Sequence, residues 1–455
     1  MRRALVTTAL CALVCAPASA SAATNWSIKG AGWGHGIGMS QYGAFGQAQV
    51  GRNYQQILAS YYSGTIVSMT RARTIRVLLQ ASVPRVTFSG ATSLGGRAVK
   101  PGKTYVVTRG RSGLVVKDSA GKLAGRFATV PVKVSSTRGY TLLNGRTYRD
   151  VMELRPGTAG GVTAVNALSL DNYVQGVVPG EMPSSWAPEA LKAQAVAART
   201  YALTTDAGGT VFDQFADTRS QMYGGVGVEQ ASTNAATRAT SNQIVTSNGH
   251  AAVTYFFSTS GGKTEDVQNV FYGALAVPYL KGVADPYDRI APRHRWTFGP
   301  YSRKQITSRF GSYCAGSFKS LVIRQRGSSP RIVRADVVCT RGTTSASGTG
   351  LRSAMGLYDT WFTVVKVTTN GTRRARSLAK SAARGVLAPR TVSGSAGPGV
   401  RKGSVVTVQH LVNGRWRSAA RGHTARGGAY AVRVVNAGRY RVRVVGVTGP
   451  VTTVQ

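Results

Sequence analysis

The sequence predicts an α+β protein, with a β-rich core that contains a few helices and a small all-β sandwich at its C-terminal end. Its 455 residues exceed what one compact core accommodates, which predicts two or three domains. Its 55 glycines, with frequent Val, Thr and Ser, favour strands and turns over long helices. Hydrophobic residues make up 42% of the chain, which excludes wholesale disorder.

The first 23 residues are typical of a signal peptide. Arg2 and Arg3 precede an apolar run over residues 4–16, and Ala-Ser-Ala patterns follow at 18–20 and 20–22. The run is too short to span a bilayer, and the pattern is that of a cleaved secretory signal. We therefore expect a secreted mature chain with no transmembrane segment.

Two cysteines, Cys314 and Cys339, remain once a signal peptide is removed. An even pair in an oxidising compartment predicts a disulfide. By the loop-entropy model this bond would contribute about 3.5 kcal/mol of stability. Two isolated cysteines make a poor metal site.

The domains follow from shifts in composition along the chain. Residues 24–65 are rich in glycine and aromatic residues, 66–160 are β-rich, and 161–370 complete the core. Residues 371–385 are basic and short of large apolar side chains, which indicates a linker. Residues 386–455 alternate strand-like runs with turns, which predicts the β-sandwich module.

The strongest helix signal begins at Pro188 and continues through Ala190–Leu203. Apolar spacing predicts a further helix over 54–62. Another helix is expected over 229–240. The predicted strands lie at 74–79, 104–107, 113–116, 251–257, 320–325, 331–338, 360–367, 404–412, 429–435 and 439–445.

The charge is strongly positive, with 57 Lys and Arg against 16 Asp and Glu and a formal net charge of +41. No acid occurs before Asp118 or after Asp359. Such a chain is attracted to polyanions, and nucleic acid, acidic wall polymers and anionic lipid all qualify. With the chain predicted to be exported, we expect anionic wall polymers as partners. Nucleic-acid binding rests on charge alone, since no recognition motif supports a specific nucleic-acid partner.

Common catalytic patterns are missing from the sequence. The five histidines form no H-x-x-x-H pair, which argues against a zinc hydrolase. Ser260-Gly261-Gly262-Lys263 matches S-x-x-K, but two glycines make a poor helix start and neither S-D-N nor K-T-G accompanies it.

Glu181 has the most distinctive setting of the 16 carboxylates. It lies between Pro179 and Pro183, just before the strongest helix, so we expect it on a loop anchored to a rigid element. Met182 and Trp186 would desolvate it and raise its pKa towards that of a general acid. On spacing alone, the alternative interpretation is a carboxylate on a surface loop.

Four ordered segments resemble the SpoIID/LytB family of sporulation and cell-wall proteins. They are VVPGEMPSSWAPEALKAQAVAARTYAL within residues 171–203, FADTRSQMYGG at 215–225, YFFSTSGGKTED at 255–266 and WGHGIGMSQYGA at 33–44. A long ordered set of motifs is far more specific than one motif. The resemblance covers residues 25–367 and does not reach the C-terminal module.

The resemblance implies a SpoIID-like core and a lytic transglycosylase that cuts peptidoglycan glycan strands, notably strands stripped of stem peptides. Glu181 matches the family's catalytic glutamate. One carboxylate suffices because the substrate's own C6 hydroxyl is the nucleophile, whereas an ordinary glycosidase needs two carboxylates. The expected products carry 1,6-anhydro-muramyl ends. We expect a secreted, wall-associated enzyme without a cofactor.

Two departures from the family pattern are visible. Some family members hold a zinc with Cys and His in the Asp-Thr segment, whereas residues 215–221 contain neither, so we predict no metal. The family usually places the GHGxGMSQxGA segment at the end of the domain, whereas here it opens the mature chain. This order indicates a circular permutation, which requires residues 25–65 to dock beside residues 351–367.

Further residues of the matching segments are candidates for substrate binding: Gln194, Arg199, Tyr201, Ser258, Ser260, Gly261, Gly262, His35 and Gln41. For the helix residues the alternative is packing or capping, and for Ser258–Gly262 it is a tight bend at a strand end. Glu265 and Asp266 are the alternative acids. The rival function is a non-catalytic wall-binding protein or an activator of a wall amidase.

Overall fold

The computed structural model describes residues 23–369, 390–396, 400–434, 438–444, 447–448 and 451–454. Most of the predicted signal peptide, with Cys11 and Cys15, and the predicted linker at 371–385 lie outside the described residues. The chain divides into two compact units, one of which is Trp26–Val367. The other contains the C-terminal residues from Thr368 onwards. Within the described residues, no helix has the length and apolar character needed to cross a membrane.

The fold is a β-rich α+β architecture, as the composition predicts. Its first elements are β1 (Ala23–Gly30), β2 (Met39–Ser40), α1 (Gln41–Gln49) and α2 (Tyr54–Tyr61). The Ser40 side chain caps α1 by accepting from the Gly43 N–H. Asn53 and Gln56 form a capping box at the start of α2. These caps explain why two short helices are stable in a glycine-rich segment.

A run of strands forms the next part of the core. They are β3 (Ile66–Met69), β4 (Thr74–Val83), β5 (Arg85–Ser89), β6 (Ser93–Leu94), β7 (Arg97–Ala98), β8 (Tyr105–Gly110), β9 (Gly113–Asp118), β10 (Leu123–Phe127), β11 (Val132–Ser135), β12 (Tyr140–Leu143), β13 (Arg146–Arg149), β14 (Val151–Pro156) and β15 (Val162–Ser169). One six-stranded sheet has the order β10-β9-β8-β5-β12-β13.

The helical part follows, with α3 (Leu170–Glu181), α4 (Pro188–Thr204), β16 (Gln214–Phe215), α5 (Ala231–Ala239), β17 (Gln243–Ser247), β18 (His250–Ala251) and β19 (Phe256–Phe257). The seven-stranded sheet has the order β16-β4-β15-β14-β11-β6-β7. Helix α4 packs against both α3 and α5. Its face is mostly alanine, which lets the neighbouring helices approach closely.

The strand predicted over residues 251–257 is wrong for most of its length, because only its two ends are in strands. The Tyr255 carbonyl accepts hydrogen bonds from the Met39 N–H and from the Tyr62 hydroxyl. Contacts with the N-terminal segment therefore replace continuous strand pairing here.

A second hydrophobic core lies within the same unit, built from β20 (Trp296–Tyr301), α6 (Arg303–Phe310), β21 (Phe318–Arg326), β22 (Ile332–Cys339), β23 (Gly342–Ser347), α7 (Gly348–Met355) and β24 (Phe362–Thr369). We call these elements, together with β1, the disulfide lobe. Cys314 and Cys339 are joined by a disulfide within it. Strand β1 lies between β20 and β24.

The N-terminal segment docks where a permuted chain requires it. The Ala31 N–H donates to the Trp361 carbonyl at 3.0 Å, and the Gly34 N–H donates to the Tyr358 carbonyl at 3.1 Å. The contact between residues 25–65 and residues 351–367 is therefore present.

The C-terminal unit holds β25 (Arg390–Ser395), β26 (Val405–Val412), β27 (Arg415–His423), β28 (Ala429–Val434), β29 (Gly438–Val444), β30 (Val447–Thr448) and β31 (Thr452–Val454). One sheet pairs β25 with β28, and the other has the order β27-β26-β29-β30 with β31 also on β29. Valines and Tyr440 fill the space between them. Arg439, Arg441 and Arg443 alternate with these buried residues and share the outer face of β29.

Candidate active site

Glu181 is the last residue of α3, so the prediction that it lies on a loop is wrong. Pro179 lies inside the helix, two residues before its end, where it removes one backbone N–H donor. The helix ends at Glu181 because Met182 precedes Pro183 and adopts the extended conformation that this position favours. Gly176 is required in the same helix, because a Cβ there would lie 2.6 Å from the ring of Tyr223.

The Glu181 carboxyl group is half-buried and faces a cavity of about 350 Å³. The other residues that line this cavity are His35, Tyr201, Thr218, Ser220, Met222, Tyr255, Phe256 and Phe271. They combine hydroxyl groups with aromatic rings, and none of them is a carboxylate. We call this space the Glu181 cavity.

Burial raises the pKa of Glu181, and two hydrogen bonds partly offset that rise. The Met222 N–H donates to Oε1 at 3.1 Å, and the Gln41 amide donates to Oε2 at 3.5 Å. Among the residues that the structure describes, this carboxylate has no Lys or Arg partner in an ion pair. Its surroundings therefore favour a protonated glutamate at a higher pH than usual.

The predicted desolvating residues, Met182 and Trp186, do not line the cavity. Met182 is buried in the main core. Trp186 stacks on Phe45 with ring centroids 4.6 Å apart and contacts Tyr42 edge-on. The aromatic rings of the 255–271 segment, with Met222, surround the acid in their place.

Gln41 connects the N-terminal segment to the acid. It is the first residue of α1, and its Nε2 also lies 3.5 Å from Oε1 of the fully buried Gln194. The Ser40 cap fixes the start of α1 and therefore the position of Gln41. The structure thus brings Gln41, Gln194 and Glu181 together.

His35 lines the cavity as a neutral imidazole. Its Nδ1 accepts from the Ile37 N–H at 3.0 Å, and its Nε2 lies 3.1 Å from the Phe256 carbonyl. This pair of partners requires the proton to be on Nε2. Burial lowers the pKa of His35 to about 4, so the ring is uncharged at neutral pH. Rings of Tyr255 and Phe271 pack against it.

The two remaining candidates of α4 differ in position. Tyr201 lines the cavity, and burial raises the pKa of its hydroxyl. Arg199 is fully buried and forms an ion pair with Asp171 at 2.6 Å. Its other donors bind the carbonyls of Thr237 and Gln243. Arg199 therefore joins α4 to neighbouring elements and does not reach the cavity.

The Ser258–Gly262 candidates surround buried acids and do not line the Glu181 cavity. The N–H groups of Ser260 and Gly261 both donate to the Asp288 carboxylate at 2.9 Å. The Ser260 hydroxyl donates to Asp285 at 2.8 Å and accepts from the Gly262 N–H. The Ser258 carbonyl accepts from the Tyr42 N–H. The glycines therefore bring the backbone close to a protein carboxylate, where a sugar had been expected.

The alternative acids are already engaged. Burial alone would raise the pKa of Glu265, but hydrogen bonds from Ser329 and Asn269 among others hold it below its usual value. Asp266 accepts from the Ser328 hydroxyl and from the Gly282 N–H. Both carboxylates therefore act as anchors for the surrounding loops.

The residues of the Asp-Thr segment do not fit a zinc ion. Asp217 pairs with Arg219 at 2.7 Å, and that guanidinium lies 3.8 Å above the ring of Phe215. Among the described residues, no group of three His, Cys, Asp or Glu side chains is placed to hold a metal ion.

Several cavity residues were not among the sequence candidates: Thr218, Ser220, Met222, Tyr255, Phe256 and Phe271. All except Phe271 lie in the 215–225 and 255–266 segments quoted above, so the motifs marked the segments without marking the side chains. Phe271 follows the second segment and carries no sequence signal of its own.

The comparisons with known proteins match the part of the chain that contains Glu181. The model of the SpoIID family, described as stage II sporulation protein, matches residues 158–247, which contain α3, α4 and Glu181. Stage II sporulation protein D of Bacillus subtilis is 31% identical over 231 residues, covering 46% of this chain and 65% of the relative.

Two further relatives match shorter regions. An uncharacterised protein of Brachyspira hyodysenteriae is 37% identical over 184 residues, which are 40% of this chain and 47% of the relative. The amidase enhancer of Bacillus subtilis is 39% identical over 136 residues, which are 30% of this chain and 18% of the relative. Each of these matches spans less than two thirds of the relative's own length. The part of the chain that contains α3, α4 and Glu181 is therefore similar to the SpoIID family.

Proposed function

We propose that this chain is a secreted lytic transglycosylase of the cell wall, which cleaves peptidoglycan glycan strands with Glu181 as its general acid and base. The observation that carries the proposal is that Glu181 is the one carboxylate among the described residues lining its cavity. A glycosidase that uses water needs two carboxylates across the scissile bond. A lytic transglycosylase needs one, because the substrate supplies the nucleophile.

In the proposed reaction, protonated Glu181 donates its proton to the glycosidic oxygen as the bond from C1 of the muramyl residue to that oxygen breaks. The C6 hydroxyl of the same residue then attacks C1, and the Glu181 carboxylate takes the hydroxyl proton. A 1,6-anhydro end forms, the glutamic acid is regenerated and no water is consumed. The raised pKa of Glu181 suits the first step, because the acid must begin protonated.

The remaining cavity residues provide binding and orientation. Thr218, Ser220 and Tyr201 offer hydroxyl groups for sugar hydroxyls, and the neutral His35 contributes an uncharged wall. The Met222 N–H and the Gln41 amide hold the two carboxyl oxygens. The 3.5 Å contact to Oε2 is the longer one and leaves that oxygen freer to exchange a proton.

The test is a digest of purified peptidoglycan, intact and stripped of stem peptides by an amidase, analysed by mass spectrometry. We expect 1,6-anhydro-muramyl ends from the wild type and none from Glu181→Gln. Asp217→Asn is the control, because that carboxylate is exposed and lies outside the cavity. Reducing ends in place of anhydro ends would refute the transglycosylase and indicate a hydrolase.

The C-terminal unit supports wall retention. On β29, Arg439, Arg441 and Arg443 share an outer face, and Arg441 lies 4.6 Å above the ring of Trp416. No acid follows Asp359 in the sequence, so nothing in this unit offsets the charge. We expect Gln substitution of the three arginines to release the protein from walls at lower salt. Arg433→Gln on β28 is the control. Salt-insensitive retention of the triple variant would refute this role.

The amidase enhancer relative favours one second candidate, an activator of a wall amidase. An activator needs no acid, so Glu181→Gln would retain full enhancement of an added amidase. Neither substrate would then yield anhydro ends with the wild type. The digest with and without an added amidase separates the two functions.

A further inference from the structure

A second cavity, of about 400 Å³, opens between the main core and the disulfide lobe. One wall comes from residues 265–273, and the other from β22, β23 and the start of α7. Phe271 lines both this cavity and the Glu181 cavity. The two spaces therefore meet at one aromatic ring. We call the second space the lobe cavity.

The lining of the lobe cavity combines apolar side chains with neutral polar ones. Its amide and hydroxyl side chains are Gln268, Asn269, Ser345, Ser347, Thr349 and Thr360. Two of its charged residues are bound to protein groups, since Glu265 accepts from Ser329 and Arg331 pairs with Asp359 at 2.9 Å. Arg334 adds an exposed guanidinium. A neutral ligand with many hydroxyl groups fits this lining better than a metal ion or a phosphate.

Tyr272 gives the cavity an aromatic rim. Its side chain is fully exposed, with a relative exposure of 107%. An exposed aromatic ring with a polar tip is typical of a binding surface, because it presents a rigid apolar face beside a hydrogen-bonding group. Sugar rings present the matching combination of C–H faces and hydroxyl groups. Leu275 is also exposed, at 84%, but does not line the cavity.

The volume lies within the range of small-ligand sites, and the position next to Phe271 places it beside the acid. We propose that the lobe cavity binds additional sugar residues of the strand whose scissile bond lies at Glu181, so that one glycan strand passes over Phe271 and occupies both cavities. The identity of the strand rests on the proposed function, and the sugar-binding site itself rests on the lining.

The lobe cavity then makes the chain prefer long strands. A strand that fills only the Glu181 cavity gains nothing from Tyr272, whereas a longer strand gains the contacts of both cavities. One aromatic contact of this kind changes affinity by about 2- to 10-fold.

The experiment measures binding, so that it does not depend on turnover. The Glu181→Gln protein is titrated calorimetrically with oligomers of N-acetylglucosamine of increasing length, from the disaccharide upwards. We expect affinity to rise with length and then level off. Adding Tyr272→Ala should weaken binding of long oligomers by about 2- to 10-fold and leave the disaccharide unchanged. Leu275→Ala is the matched control on the same segment.

A second variant blocks the cavity instead of removing a contact. Ser345→Trp places a large ring at an exposed position of β23, which is an edge strand that accommodates aromatic residues. It should abolish the gain with length. Tyr272 is fully exposed, so Tyr272→Ala remains informative even where Ser345→Trp fails to fold.

The outcomes separate the site from the reaction. One outcome is that the wild type cleaves peptidoglycan while Tyr272→Ala leaves the binding of every oligomer to the Glu181→Gln protein unchanged. This outcome would overturn the sugar site and leave the proposed reaction standing. Selective loss of long-oligomer binding, with no cleavage by the wild type, would leave the site standing and overturn the reaction. Equal weakening for all lengths would also overturn a separate second site.

Discussion

Replacing Gln41 with Ala tests whether the first residue of α1 sets the protonation of Glu181. The Gln41 amide donates to Oε2 across 3.5 Å, and this contact lowers the pKa that burial raises. A hydrogen bond to a charged group contributes about 1.5–3 kcal/mol, and the length of this contact places it at or below the lower end. Gln41→Ala should therefore raise the pKa of Glu181, because the carboxylate loses a stabilising contact of about 1.5 kcal/mol or less.

Two assays measure this change. The chain has five glutamates, Glu153, Glu181, Glu189, Glu229 and Glu265, so carboxyl-labelled glutamate gives a carbon NMR titration with few signals. Glu181→Gln assigns the signal of interest. Because the acid must be protonated, kcat/KM falls as pH rises through its pKa, and the falling limb should move to higher pH in the variant.

The control is Gln49→Ala, which changes an exposed glutamine on the same helix. It should leave both the titration and the pH profile unchanged. An unchanged or lowered pKa for Glu181 in Gln41→Ala would refute the reasoning, because it would show that the amide does not favour the carboxylate.

Burial and the neighbouring Asp288 raise the pKa of Asp285 to about 6. Between about pH 4 and pH 6 the folded state therefore holds a proton that the unfolded state has released. The free energy of unfolding falls as the pH rises through this window. Asp285→Asn should remove about 3 kcal/mol of this dependence, as seen in urea unfolding at pH 4 and pH 8. His35 should stay neutral down to about pH 4 with its proton on Nε2, and nitrogen NMR showing an imidazolium at pH 6 would contradict this. Arg199→Met should lower stability by about 3–5 kcal/mol because it leaves a partly buried carboxylate unpaired, while binding of the disaccharide by folded protein is retained. Cys339→Ser should lower the free energy of unfolding by about 3.5 kcal/mol, because it removes a disulfide between cysteines 25 residues apart in sequence. An unchanged thermal midpoint would contradict this contribution of the disulfide.

Much of the fold follows from local patterns in the sequence. Helix α4 was predicted because Pro188 starts it and alanines continue it, and the strands between 74 and 118 follow from alternation and turn residues. Helix α3 was not predicted, since Gly176, Pro179 and Gly180 all disfavour a helix. Its glycines are required by rings that arrive from distant segments, such as Tyr223 against Gly176. A single sequence does not reveal such a contact.

Some residues of the candidate site could likewise be predicted from the sequence, and others could not. Glu181, Gln41 and His35 were candidates because they lie in segments that match the family. The structure places Glu181 and His35 on the lining of one cavity and Gln41 beside Glu181. Arg199 and Ser260 were misplaced, because a conspicuous polar residue in a motif can hold the fold together as readily as it can bind a substrate. Their partners, Asp171 and Asp285, lie far away in sequence, so no local pattern predicts these contacts.

The position of β1 between β20 and β24 has a consequence for the order of events during synthesis. The Trp296 indole N–H donates to the Gly32 carbonyl, across a sequence separation of 264 residues. Residues around Gly32 therefore leave the ribosome long before their partners in β20 and β24 are made. Until β24 is made, the segment that carries Gln41 lacks its anchor in the disulfide lobe. Glu181 then lacks the amide donor that Gln41 provides. A nascent or clipped chain that ends before β24 should accordingly lack the activity proposed for Glu181.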